Sequence, residues 1–589
     1  MTTLRVWAPA LVSVDAVVGG SAYDMKRSDD GWWRVDVDQA VHGTDYAFVL
    51  DGEGTPLPDP RSRWQPHGVH GASRVYDHSV FLWSDAGWRG RQLAGSVFYE
   101  LHIGTFTPGG TLDAAVEKLD HLVDLGVDVV ELMPVAAFPG VAGWGYDGVH
   151  PYAVHEPYGG PDALKRFVDA CHWRGLAVCL DVVYNHLGPS GNYVSRFGPY
   201  FSGKHETPWG QGINLDDTDA YEVRRWIIDN VLTWLRDFHV DALRLDAVHA
   251  LADDSPVHVL AELSREVDAL STHLGRPLSL VAESDLNQPS MVTPVSGGGL
   301  GMTAQWSDDF HHVLHALLTG ESQGYYGDFA ADPYAALART LSGAFFHDGG
   351  FSSFRGADWG APVDRSRVPG WHFLGYLQTH DQVGNRAVGE RIGHLTSPGL
   401  AMIGAALVLT SPFTPMLFMG EEWAASTPWQ YFTSHEEPSL AEAVREGRRR
   451  EFGSHGWAAD DVPDPQAAST VAASTLDWSD VSAETHSSVL AWYRALLSLR
   501  RREPALTDPR LDRVSVSCDP TARWVVVARG DLRVVCNLSG AGQDVPVDTQ
   551  IREVVLSSSA VAAPSGSVAR VPAESVAVLR VSSASSMAT

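Results

Sequence analysis

A small set of residues holds most of the chemistry this chain could do: Asp181, His186, Arg244, Asp246, Glu283, His380 and Asp381. Each ends an apolar run or follows one by a few positions. Arg244 and Asp246 lie two apart in Ala242-Leu243-Arg244-Leu245-Asp246, so the alternation of a strand sends both side chains to one side. A guanidinium beside it favours the ionised carboxylate, which suits Asp246 to nucleophilic attack. Glu283 closes the apolar run Leu278-Ser279-Leu280-Val281-Ala282, a setting that favours the protonated acid and proton donation to a leaving glycosidic oxygen. Two carboxyls with divided roles describe a glycosidase. A separation of about 5 to 5.5 Å between them gives retention through a covalent glycosyl-enzyme, and about 6.5 to 9.5 Å gives inversion.

The elements that must position these groups are short apolar strands alternating with amphipathic helices from Ser96 onward, the pattern of parallel βα units. Eight strands are predicted: Val97–His102, Val127–Met133, Ala177–Tyr184, Val240–Asp246, Leu278–Glu283, Met302–Trp306, Phe373–Thr379 and Met416–Met419. Helices fall between them, for instance Thr111–Leu125 and Pro161–Arg174. Eight such units close a (β/α)8 TIM barrel, whose catalytic residues belong at the carboxyl ends of the strands. A lone strand-terminal Asp is an ordinary helix cap. Several carboxylates, an Arg and two His on one rim are costly without a polar ligand, so the joint pattern points to a site. Before the barrel, residues 4 to about 85 alternate in short runs such as Trp32–Val37 and Asp45–Leu50, a small β-sandwich. An ordered loop, Pro58 to Gly71, leads from it along the barrel. Afterwards a helix, Ser487–Arg502, precedes runs at Val514–Val516, Trp524–Ala528 and Leu532–Asn537 that form a second β-domain. The expected domains are 1–90, 91–505 and 506–589. The small polar tail after Val581 is expected to fray.

Four segments in order, Asp181-Val-Val-Tyr-Asn-His186, Leu243-Arg-Leu-Asp-Ala-Val-His249, Val281-Ala-Glu-Ser-Asp285 and Gln378-Thr-His-Asp-Gln382, resemble the sequence blocks of the α-amylase family of glycoside hydrolases. The resemblance implies that Asp246 is the nucleophile, Glu283 the general acid/base and Asp381 the transition-state stabiliser. It also implies that Tyr146, Asp181, His186, Arg244 and His380 surround the sugar at the point of cleavage. Longer stretches, Pro58 to Gly71, Gly143 to Tyr152, Gln305 to His312 and Ser411 to Trp423, are similar to the maltooligosyltrehalose trehalohydrolases of that family. That likeness implies hydrolysis of the α-1,4 bond next to a terminal trehalose unit, releasing trehalose and a maltooligosaccharide. It also implies a pathway shared with a maltooligosyltrehalose synthase.

Secondary positions are less sharply defined by the sequence. Asp308, Asp309, His311 and His312 follow the sixth strand and could line subsites for the leaving trehalose, while Asp308 equally suits a helix N-cap. His249, Gln382 and Asn385 lie within a turn of catalytic positions, for substrate contact or for orienting the carboxylates. In many α-amylases the Asn matching Asn185 helps hold calcium. Here the stretch to Asp219 is short and carries few carboxylates before Asp216, so neither a metal nor any other cofactor is expected. Gly297-Gly298-Gly299-Leu300-Gly301 lacks the GK[ST] of a phosphate loop and reads as a flexible loop.

The formal net charge of −29 disfavours nucleic acid and anionic lipid as partners and leaves neutral α-glucans. The 20 Trp, 17 Tyr and 20 Phe could supply faces for pyranose rings. No amino-terminal leader pattern or span-length apolar run appears, so a cytoplasmic location is expected. Cys171, Cys179, Cys518 and Cys536 form no CxxC pair and read as buried thiols. The competing readings are a glycogen branching or debranching enzyme of the same family and a non-catalytic glucan-binding barrel. New α-1,6 branches on amylose would mark the former, and loss of a catalytic carboxylate the latter.

Overall fold

The computed structural model describes residues 2–453, 458, 461–561 and 566–582. All eight expected strands are present, at Phe98–Leu101 (β1), Val129–Leu132 (β2), Ala177–Val182 (β3), Ala242–Leu245 (β4), Ser279–Ala282 (β5), Ala304–Trp306 (β6), Phe373–Tyr376 (β7) and Thr414–Phe418 (β8). They pair in parallel in that order, and β8 returns to β1 to close the barrel. The interior is stratified. Phe98, Val129, Ala177, Ala242, Val281, Ala304, Leu374 and Met416 form an apolar floor. Two residues further along their strands the alternation brings Glu100, Glu131, Cys179, Arg244 and Glu283 to the same side, so the interior turns polar toward the strand C-termini.

Helices between the strands bury one face each, as in Gly160–Trp173 and Ala220–Asp237. The expected helix from Thr111 to Leu125 is interrupted: Leu112–Val116 and Leu119–Leu125 are separate, and at the break Lys118 Nζ lies 4.5 Å over the Trp478 ring. Gly126, with φ of 105°, ends the second piece in the left-handed conformation that a β-carbon resists. The Gly-rich stretch Gly297–Gly301 is not a loose loop but a packed turn. A β-carbon on Gly299 would meet the Thr293 carbonyl oxygen at 2.1 Å, and one on Gly301 would meet Ser264 Oγ at 2.5 Å.

Before the barrel stand two antiparallel sheets of three and four strands, their inner faces carrying Leu4, Val6, Val14, Trp33 and Phe48 in one core. The connecting loop is fastened to the barrel: Arg61 reaches Asp229 at 2.9 Å and Tyr152 at 3.0 Å, and Trp64 Nε1 donates to Glu156 at 2.8 Å. After the helix Glu484–Arg502, a five-stranded antiparallel sheet holds the three expected runs. With a two-stranded sheet it encloses Val526, Val535, Val545, Val571 and Leu579. The tail expected to fray lies, from residue 583 onward, outside the described residues. Of the thiols, three are buried and Cys518 is partly exposed.

Candidate active site

The polar rim opens into a cleft of about 820 Å³. Tyr146, His186, Asp246, His249, Glu283, His380 and Asp381 line it, so most of the residues singled out in the sequence converge there. Arg244 organises them from below. Its Nη1 donates to Asp246 Oδ1 at 2.9 Å and to Asp181 Oδ2 at 2.7 Å, while Nη2 lies 2.8 Å from Glu283 Oε2. That last pair is a close contact without hydrogen-bond alignment. The Trp306 ring supports the guanidinium from 4.3 Å.

The two central carboxyls sit in different fields. Asp246 also accepts from Asn185 Nδ2 at 2.8 Å. Burial alone would raise its pKa, but Arg244, Asn185 and His186 outweigh burial and hold it below the ordinary 3.8. Glu283 is driven the other way. Burial, with the charges of Asp246, Asp381 and Asp308, pushes it well above 4.5 against the opposing pull of Arg244. Its Oε2 accepts from the Ala247 amide at 2.7 Å, which leaves the other oxygen to carry the proton. One group is therefore a ready nucleophile and its neighbour a ready acid.

Asp381 stands at the far side, where Asn385 Nδ2 donates to it at 3.2 Å and His380 Nε2 lies in charge contact at 3.5 Å. Burial opposes charge on His380, but Glu100 and Asp381 raise its pKa to about 9. The charged ring then donates on both sides, to Glu100 at 2.5 Å and to the Tyr146 hydroxyl at 2.8 Å; Tyr146 in turn donates to Asp181 at 2.7 Å. His186 donates to the Tyr146 carbonyl at 3.0 Å and stacks 4.7 Å from Trp209.

Beyond Asp381 lies a second, smaller hollow shared by Asp308, His312, Gln382 and Asn385 with Asp285, Tyr325, Phe354 and Arg355. Asp308 is not the helix cap: Ser307 takes that position, and Tyr376 donates to Asp308 at 2.5 Å. Burial raises Asp308 to about 6 despite that bond. Burial likewise lowers His312 to about 3, so its ring is neutral. Gln382 spends its Oε1 on the Thr379 amide and hydroxyl, capping the helix that begins at His380.

Four expected contact residues are placed otherwise. Asp181 and Arg244 have side chains only 1% and 0% exposed, so they hold Tyr146, Asp246 and Glu283 rather than facing the cleft. Asp309 points away. Consecutive helix positions differ by about 100°, so when Asp308 faces the hollow Asp309 turns into the protein. There it accepts from Asn287 and from the amides of Phe346 and His347. His311 is spent on the Leu377 carbonyl and the Tyr326 hydroxyl. Sequence reasoning passed over Glu100, buried in what reads as an apolar strand, and the cleft walls Trp144, Asp147, Trp209 and Tyr431, which sit in loops without periodicity. For Trp144, Trp209 and Tyr431 the aromatic type beside polar segments is the available signal; Glu100 and Asp147 carry none.

The Alpha amylase, catalytic domain family matches residues 66–204, which contain β1 to β3, and a domain of unknown function (DUF3459) matches 509–578. A malto-oligosyltrehalose trehalohydrolase of Mycobacterium tuberculosis is 53% identical to this chain, over 94% of it and 95% of the relative. The chain belongs to the malto-oligosyltrehalose trehalohydrolase family. It is a glycoside hydrolase on a TIM barrel. The Rhizobium member of the family is 50% identical over 98% of this chain and 97% of its own. An alpha amylase candidate from Salmonella typhimurium, of known crystal structure, superposes with a TM-score of 0.90 at 39% identity, covering 98% of this chain and 97% of the other. The trehalohydrolase likeness thus runs nearly end to end. All three carboxylates that the resemblance implies are present, and a branching enzyme of Vibrio parahaemolyticus matches less well, at 32% identity over 50% of this chain and 44% of its own.

Proposed function

We propose that this trehalohydrolase-family member cleaves the α-1,4 bond joining a maltooligosaccharide to its terminal trehalose, with retention of configuration. The observation that carries the mechanism is the convergence of Asp246 and Glu283 on one guanidinium, at 2.9 and 2.8 Å from adjacent nitrogens of Arg244, with burial favouring the protonated form of Glu283 against that charge. Asp246 attacks the anomeric carbon of the glucosyl unit in the cleft as the bond to the trehalose oxygen breaks. Glu283 gives its proton to that oxygen, which leaves as a trehalose hydroxyl. The carboxylate of Asp381, steadied by His380 and Asn385, stabilises the positive charge that develops only in the transition state. Glu283, now ionised, takes a proton from water. The hydroxide equivalent displaces Asp246 and releases the maltooligosaccharide as its α-anomer.

The second hollow is suited to the leaving trehalose, since it adjoins Asp381 and offers Asp308, His312, Arg355 and Asn385 for hydroxyl groups beside the Tyr325 and Phe354 rings. Asp181 and Arg244 act as positioning residues, and Gln382 both caps its helix and borders this hollow. Within this reading the enzyme works beside a synthase that makes the trehalose-capped end, in the cytoplasm. Parallel incubation with maltotriosyltrehalose and maltopentaose tests the substrate. Preferential release of trehalose from the capped sugar is expected, and equal cleavage of both would reduce the activity to that of a general amylase. Proton NMR of the freshly released maltooligosaccharide, taken before mutarotation, is expected to show the α-anomer; the β-anomer would overturn retention.

A further inference from the structure

The hairpin of Phe201–Thr207 and Gly210–Ile213 carries Trp209 at its turn, and Phe201, Trp209 and Gln211 form one wall of the cleft. The Trp209 ring lies parallel to His186, with 7° between the planes, while half of the residue stays exposed. Such a ring can serve as a sugar platform only if the hairpin is held in place. Its own ladder is a poor means of doing so. Ser202 pairs with Gly212 and Glu206 pairs with Gln211, so residues 203–205 bulge out of register between two adjacent partners.

Charge fastens the bulge instead. Lys204 Nζ reaches Asp216 Oδ2 at 2.7 Å and Asp254 at 3.4 Å, and His205 Nε2 reaches the same Asp216 oxygen at 3.0 Å. That oxygen also accepts from the Asp254 backbone amide at 2.8 Å. The Asp216 side chain is 3% exposed, whereas that of Asp254 is 70% exposed. Asp254 belongs to the loop after β4, the strand that leads to Asp246, so the buried carboxylate joins the hairpin to the catalytic rim. His205, Asp216 and Asp254 are also the group among the described residues spaced to take a metal ion. The Lys204 ammonium is already paired with both carboxylates, which gives the cluster its own cation.

We propose that Lys204 is a positioning residue for substrate: its ammonium, together with His205, clamps the Trp209 hairpin to the loop after the fourth strand. The proposal rests on the glucan-cleft reading above. Lys204→Met keeps the stem and removes the charge, leaving Asp216 buried with one cationic partner fewer. A rise in KM of about 3- to 10-fold for maltotriosyltrehalose is expected, with kcat nearly unchanged, and Lys204→Arg should restore most of it. Amide hydrogen exchange across 201–213 should quicken in Lys204→Met while the barrel strands exchange as before. In a Trp209→Ala background the same substitution should add little to KM, because the platform it positions is gone. An unchanged KM, an Arg variant as impaired as Met, or full additivity with Trp209→Ala would each overturn the clamp. If the wild-type protein cleaves no glucan at all, the cleft reading is what fails, and the exchange measurement still decides whether Lys204 holds the hairpin.

Discussion

At the scale of single residues, the opposed fields on Asp246 and Glu283 fix how rate should depend on pH. Asp246 must be ionised, and its pKa lies below 3.8, so kcat/KM should climb with pH through an acidic limb set beneath the ordinary Asp range. Glu283 must be protonated, and its pKa lies well above 4.5, so the rate should fall again as pH rises through that higher value. Glu283→Gln cannot supply the proton and should lose about 10²- to 10⁴-fold in kcat on the natural bond. With an α-glucosyl substrate whose leaving group departs without protonation, the glycosylation step should be largely spared and its alkaline limb should vanish. A Gln variant that keeps the alkaline limb would remove Glu283 from the role of acid. The carboxylates were legible in the sequence because each ends an apolar run in the order a parallel barrel demands. Glu100 was not, since its apolar neighbours make it look like a core position and only ring closure brings β1 beside His380. The burial of Asp181 and Arg244 was equally hidden, because strand alternation gives direction but not depth.

At the scale of elements, the short helix His380–Gly384 sets the angle at which Asp381 meets the cleft. It is capped by Thr379 and Gln382 and seated on aromatic rings. A β-carbon on Gly384 would fall 2.0 Å from the Trp144 ring and 3.0 Å from that of Trp429, which themselves stack 4.5 Å apart. Trp429 is wholly buried and cannot yield, and Trp144 can yield only toward the cleft it lines. Gly384→Ala should therefore push Trp144, a cleft wall, and tilt the helix. Overpacking of this kind costs about 1–3 kcal/mol, read as a lower denaturant midpoint. It should also cost activity out of proportion to the unfolded fraction, because Asp381 and Trp144 move together. A Gly384→Ala protein of normal stability and rate would show the seat to be looser than its geometry. Barrel strands and long helices were readable from periodicity. The break between Leu112–Val116 and Leu119–Leu125 and the tight winding of Gly297–Gly301 were not, because both follow from tertiary contacts with no local signature.

At the scale of the whole molecule, the amino-terminal sheets contribute none of the residues that line the cleft, which begin at Trp144. They meet the barrel directly, Trp7 against Tyr200 and Phe48 against Phe197, and through the fastened loop between them. Arg61 is central to it, its side chain 15% exposed, paired with Asp229, bonded to Tyr152, and lying over Trp32 and Tyr152 at 5.4 and 5.7 Å. Asp229 belongs to the helix Ala220–Asp237, which joins β3 to β4 in the chain, so one guanidinium links the sandwich to the connection between the strands that bear Asp181 and lead to Asp246. Arg61→Ala leaves the Tyr152 hydroxyl and Asp229 without this donor and should cost about 1.5–3 kcal/mol, the range for hydrogen bonds to charged groups. If the sandwich braces the barrel, calorimetry should show a lower melting temperature while kcat and KM at 25 °C stay within twofold of wild type, about 0.4 kcal/mol. If instead KM rises several-fold with the melting temperature intact, the sandwich takes part in holding substrate and does not merely brace the barrel.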